Sequence, residues 1–192
     1  MPTPVLPTAY KVIVKGTLFS VPVENVWYAQ GPDPFDVSVA ASIAGAFQTG
    51  YGAIAAELSE DIEFNEIEVT NLGGLATGIY VLAISPPQAG GLGVGALPGS
   101  VAFCVSLRTA LAGRRFRGRK YFSGLAESDV TGNELSPTRG AAIVAACNDL
   151  KDALNSLGNP LSVFSTVGVT LVDVTTCTAT DYSVDSQRGR LH

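Results

Sequence analysis

Along the first half of the chain the spacing of apolar residues changes several times, and each change predicts an element. Tyr10 to Phe19 (YKVIVKGTLF) and Val21 to Tyr28 (VPVENVWY) are rich in β-branched residues and alternate weakly, which predicts a hairpin or bent pair of strands. From Phe35 the step becomes four or three. Phe35, Val39, Ile43, Phe47, Tyr51, Ile54 and Leu58 then share one face of a helix. Asp33 is the expected cap, Pro34 the first helical residue, and Asp36 suits the positive N-terminal end. Gly45, Gly50 and Gly52 weaken the helix on propensity alone, so close packing against a sheet or another helix is their expected use.

Alternation returns over Ile62 to Leu72 (IEFNEIEVTNL), but its phase slips: Ile62 and Phe64 lie on one face, while Ile67 and Val69 join them only if one residue is inserted near Asn65. A β-bulge is expected there. Ile79 to Ile84 (IYVLAI) reads as a short strand buried on both sides, and Pro86 to Gly99 as a Gly/Pro-rich loop dividing the chain nearly in half. Met1 to Ala9, with three prolines, reads as an extended arm.

The second half runs through a similar order. Val101 to Phe122 (VAFCVSLRTALAGRRFRGRKYF) predicts an apolar strand, a Gly-containing turn and an arginine-rich strand. A helix follows, with Ser136 as cap, Pro137 in first position, Ile143, Cys147, Leu150, Leu154 and Leu157 at helical spacing, and Gly158, Asn159 and Pro160 as its end. Strands are then expected at Leu161 to Val167 and Val169 to Val184. Aligning Asp33-Pro34 with Ser136-Pro137, and IEVTNL with VDVTTC, makes the halves look related. The expected fold class is therefore α+β: antiparallel β-sheets with two main α-helices in one structural domain over residues 1–192, its halves at 10–85 and 100–192 around the 86–99 loop.

Composition narrows the function. Hydrophobic residues make up 46% of the chain and charged ones 15%, well below the ~25% charged of an average soluble domain, so part of the apolar surface is expected to be covered by other subunits. No run approaches the ~20 apolar residues of a membrane-spanning helix, and no classical signal peptide is visible; no membrane partner is expected. Cys104, Cys147 and Cys177 lack paired metal-ligand spacing and read as small buried residues in a reducing compartment. The one histidine, His192, is the last residue of the sequence. With lysine also scarce, activated-nucleophile schemes have little to draw on, so no enzyme activity, metal or cofactor is expected.

Two further patterns are candidates for chemistry. Gly91, Gly93 and Ala96 match G-x-G-x-x-A, but Pro86 and Pro87 precede them, Pro98 interrupts any helix, and Leu111 stands where the acidic residue belongs; a loop is the better reading. Glu57, Glu60, Asp61, Glu63, Glu66 and Glu68 could hold a cation or serve as paired catalytic carboxylates, but they lack the pattern of a calcium loop and read as a solvated helix end and strand face, or as partners for basic residues of an adjacent subunit.

Charge is distributed unevenly. Residues 1–95 hold two basic against nine acidic side chains, whereas residues 96–192 hold ten basic against eight acidic. The basic candidates cluster as Arg108, Arg114, Arg115, Arg117, Arg119 and Lys120. Strand alternation puts Arg115, Arg117, Arg119 and Tyr121 on one side and Phe116, Lys120 and Phe122 on the other. Such a stripe suits a nucleic-acid backbone or an acidic surface of another copy. The isoelectric point near 4.8 ranks subunit contact above nucleic acid, since dedicated nucleic-acid binders are usually basic overall.

The segments SLRTALAGRRFRGRKYFSGL, TGNEL and DYSVDSQRGRL resemble segments of uncharacterised structural proteins of viruses and phages, mainly across the second half. The resemblance implies a coat- or tail-like subunit that self-assembles into a virion in the host cytoplasm. Two alternatives stand beside it: a nucleic-acid-binding module using the arginine ribbon, and a non-viral extracellular filament subunit.

Overall fold

A computed structural model describes residues 6–18, 20–58, 62–74, 76–91, 101–111, 114–122, 130–131, 134–135, 137–156, 162–173 and 178–181. The first strands form a hairpin: β1 (Leu6–Leu18) runs antiparallel to β2 (Val21–Asp33), from Leu18 opposite Val21 to Leu6 opposite Asp33. Ladder pairing thus starts at Leu6, and residues 6–9 of the expected arm belong to β1. Across the ladder, Tyr10, Val12, Val14, Trp27 and Ala29 are buried.

Helix α1 (Val37–Ala56) begins three residues later than its sequence signals predict. The cap is Asp36, not Asp33: its carboxylate accepts hydrogen bonds from the backbone N–H of Ser38 at 2.8 Å and Val39 at 3.2 Å. Those contacts satisfy two donors that the first turn leaves without intrahelical partners; the Ser38 hydroxyl, donating to the same carboxylate at 2.6 Å, and then these N–H groups hold the Asp36 carboxyl below its ordinary range. Pro34 and Phe35 instead form the corner between sheet and helix. Tyr10 pins this corner, because its hydroxyl donates to the Pro32 carbonyl at 3.0 Å and accepts from the Asp36 N–H at 3.1 Å, while its ring stacks on Phe35.

The expected helical face is the buried one. Ile43, Phe47, Tyr51, Ile54 and Leu58 are each at most 2% exposed, with Phe35 and Val39 half-buried beside them. Within the core, the Trp27 indole N–H donates to the Tyr51 hydroxyl at 2.6 Å, and Tyr51 meets Phe64 edge-on with centroids 4.8 Å apart. Of the three helical glycines, Gly50 lies against Leu150 of the second helix and Gly52 beneath the Gln88 side chain, but Gly45 faces open space.

Strand β3 (Ile62–Asn71) pairs with β1, and the register slips by one residue at Asn65: Lys15 faces Glu66 and Gly16 faces Phe64. This is the expected bulge. It keeps Ile62, Phe64, Ile67 and Val69 all buried. Strand β4 (Ile79–Ala89) is longer than expected and runs through Pro86 and Pro87, which the sequence suggested were loop. It is an edge strand in a sheet ordered β2-β1-β3-β4, and an edge tolerates proline because one side of the strand has no ladder to break. Nor is it buried on both sides, since Ile79 is 60% and Val81 48% exposed.

The second sheet is ordered β10-β9-β5-β6, from β5 (Val101–Leu111), β6 (Arg114–Phe122), β9 (Ser162–Asp173) and β10 (Thr178–Asp181). A two-residue-strand hairpin, β7 (Val130–Thr131) with β8 (Glu134–Leu135), precedes helix α2 (Pro137–Asn155). As expected, Pro137 opens this helix and Ile143, Cys147 and Leu150 are buried; Ser136, Leu157 and the Leu154 side chain lie outside the described residues. Strand β9 passes through Gly168 without a break, where two strands were expected.

The two halves repeat one topology. Each is strand, strand, helix, strand, strand, the second half inserting the β7–β8 hairpin before its helix, and each four-stranded sheet reads second-first-third-fourth. The bulge recurs too: Arg108 faces Thr166 and Thr109 faces Phe164, which leaves Ser165 unpaired as Asn65 is in the first half. Lys15 thus corresponds to Arg108 and Asn65 to Ser165. Buried positions 43, 44, 46, 47 and 50 of α1 match 143, 144, 146, 147 and 150 of α2. This correspondence corrects the sequence alignment, for Val37 rather than Pro34 matches Pro137, and IEVTNL matches VGVTLV (167–172) rather than VDVTTC. Helix α1 packs on the first sheet and on α2, and α2 packs on β9, so the helices form a double layer between two sheets.

Candidate functional site

The outer face of the first sheet, turned away from α1, is set by the ladder register. One row across it reads Tyr28, Lys11, Thr70, Ile79; the next Val26, Ile13, Glu68, Val81; the third Glu24, Lys15, Glu66, Ala83. Tyr28, Ile79 and Val81 are each about half exposed or more, on the two edge strands, with the charged residues largely between them. Glu63 lies on this face as well, opposite Thr17, and is exposed.

Lys15 is the organising cation. Its ammonium donates to Glu66 at 2.7 Å and Glu68 at 2.8 Å, a fork that raises the lysine pKa, first through Glu66 and then through Glu68. The same bond lowers the Glu68 carboxyl. Two acids of the predicted set are therefore already partnered within the chain, while Glu63 projects beyond them. Glu57 caps the C-terminal end of α1, and Glu60 and Asp61 lie outside the described residues. The four described acids do not converge on one point, and among the described residues no three metal-ligating side chains do so.

The signs for pH follow directly. Glu68, with its pKa depressed on folding, contributes stability in full above the ordinary carboxylate value near ~4.3 and loses it as pH falls through the lowered one. Lys15, with its pKa raised, contributes in full below the ordinary lysine value near ~10.4 and loses it as pH rises through the raised one. Part-exposed pairs of this kind contribute about 0.2–1 kcal/mol each. Melting of Lys15→Met beside wild type is expected to show its largest deficit across the neutral range. That deficit should shrink in acid, and equal deficits at pH 2 and pH 7 would refute the ladder's role.

The predicted basic residues are placed by backbone register; their side chains lie outside the described residues. Strand β6 is the edge of the second sheet, and Arg108 stands directly opposite Arg117, with Arg119 opposite Ser106 and Arg115 opposite Ala110. Across the repeat these positions correspond to the outward ones of the first sheet: Arg108 to Lys15, Arg115 to Pro22, Arg117 to Glu24 and Arg119 to Val26. Four of the six basic candidates therefore fall in the outward set. Lys120 corresponds to Trp27 and Arg114 to Val21, both in the other set. Sequence alternation found the stripe within β6; only the ladder adds Arg108 to it.

Cys147 behaves as the sequence suggested, a buried thiol whose pKa burial pushes up to about 12. The side chains of Cys104 and Cys177 and most of the G-x-G-x-x-A segment lie outside the described residues; Gly91, at its start, donates its N–H to the Ala55 carbonyl. No family model matches the chain, and no curated protein or solved structure matches it either.

Proposed function

We propose that this chain is a self-assembling structural subunit of a virus or phage particle, coat-like in role, whose principal partner is further copies of itself. The observation that carries this reading is a sheet face with exposed Tyr28, Ile79 and Val81 in a chain poor in charge. Those side chains lose contact with water only when another surface covers them, at a gain of about 25 cal/mol per Å² of apolar area buried. Sheet edges add a second means of joining, because among the described residues β2, β4, β6 and β10 each have a neighbour on one side only. The viral resemblance of the second half supplies the particle class.

Static light scattering and negative-stain microscopy of the purified protein test the proposal. Particles or polymers that grow with protein concentration are expected. A monomer at every concentration and salt level would overturn it.

The arginine positions favour a second reading, nucleic-acid binding. Like charges directly opposite in a ladder repel, so the Arg108 and Arg117 pair favours an anionic partner, and a phosphate backbone would serve. Salt-dependent retention on heparin, lost stepwise through Arg115→Ala, Arg117→Ala and Arg119→Ala, would support it.

A further inference from the structure

We infer that copies of this chain join head to tail, the acidic outer face of the first sheet in one copy meeting the arginine-bearing β5–β6 hairpin of a second. This deepens the self-assembly reading and rests on it. The first sheet and the second lie on opposite sides of the helical double layer, so one molecule carries the two surfaces at its two ends. The outward set of the first sheet holds Glu24, Glu63, Glu66 and Glu68 against Lys11 and Lys15. At the corresponding positions of β5, β6 and β9, Glu24 is replaced by Arg117, Glu63 by Val163, Glu66 by Thr166 and Glu68 by Gly168. Those positions of β5, β6 and β9 hold no acid, and β10 adds one, Asp181 opposite Thr170, against Arg108, Arg115, Arg117 and Arg119.

A twofold pairing through either surface would set acid against acid or arginine against arginine. Such juxtapositions oppose association, while the unlike pairing steers it. A heterologous contact also leaves one unused surface at each end of the assembly, acidic at one end and arginine-bearing at the other. Growth then continues until the rotation closes a ring or runs on as a filament.

Two variants test this: Glu24→Lys with Glu63→Lys, which leaves the Lys15 fork intact, and Arg115→Glu with Arg117→Glu and Arg119→Glu. A milder pair, Arg115→Gln with Arg117→Gln, stands in if the reversal prevents folding, as judged by circular dichroism and Trp27 emission. Each reversed variant alone should need a roughly tenfold or higher concentration to assemble than wild type. Mixed in equal amounts, they should assemble near the wild-type concentration, because one now has two cationic ends and the other two acidic ones. With the Gln pair, a raised threshold is the expected result. Wild type that assembles while its threshold ignores these substitutions would overturn the head-to-tail contact and leave self-assembly standing. Blocked variants that fail to rescue each other would overturn the pairing of these two faces, and wild type that never assembles would remove the reading beneath it.

Discussion

Replacing Gly50 with valine is expected to lower the stability of the fold by about 3 kcal/mol, at the upper end for overpacking in a close-packed core. A Cβ built on Gly50 would stand 2.6 Å from both Cα and Cβ of Leu150. The Leu150 side chain could turn away, but its backbone atom cannot, so the two helices themselves would have to separate. Gly50→Ala isolates the contact: on propensity alone alanine would stabilise the helix by about 1 kcal/mol, so any net loss measures the clash. Urea unfolding followed by Trp27 emission gives both numbers, since Trp27 is the one tryptophan in the chain and is 4% exposed. An unchanged midpoint for the valine variant would show that α1 and α2 do not meet at this point.

Phe64→Ala is expected to cost about 3–5 kcal/mol, the range for emptying a buried aromatic site. Phe64 is 1% exposed, lies next to the bulge at Asn65, and receives Tyr51 edge-on. Tyr51 in turn accepts the Trp27 hydrogen bond, so the cavity would loosen a chain of three aromatic rings. Phe64→Leu, which refills most of the volume, should recover a large share of the loss. The same urea titration decides, and a loss under 1 kcal/mol for the alanine variant would be inconsistent with this packing.

Much of this architecture was legible in the residues, for reasons that differ by element. Helix α1 was, because its apolar spacing persists for six turns. So was the bulge, because an alternation that slips phase keeps its apolar side chains on one face only when an extra residue is inserted. The helix start was misplaced, since Asp33-Pro34 and Asp36 both carry N-terminal chemistry. Only the Tyr10 hydroxyl, distant in sequence, shows which of them is used. Strand β4 was cut short because proline forbids a central strand but not an edge, and edge position is a property of the whole sheet. The acidic cluster was visible as composition, yet the Lys15 fork joins residues about fifty positions apart. Likewise, the shared element order of the halves was visible in the sequence, but their residue-by-residue correspondence needed the two bulges as a common landmark.

The meeting of Gly50 with Leu150 has one more consequence. These are corresponding positions of the two repeats, so at this point the halves meet through equivalent sites on their two helices. At its centre the chain is built like a pair of protomers fused end to end. The protomers are not interchangeable: glycine opposed to glycine would leave a void, and leucine opposed to leucine would not fit at this separation. Knob and socket have been divided between the halves, so each fits its counterpart rather than a second copy of itself.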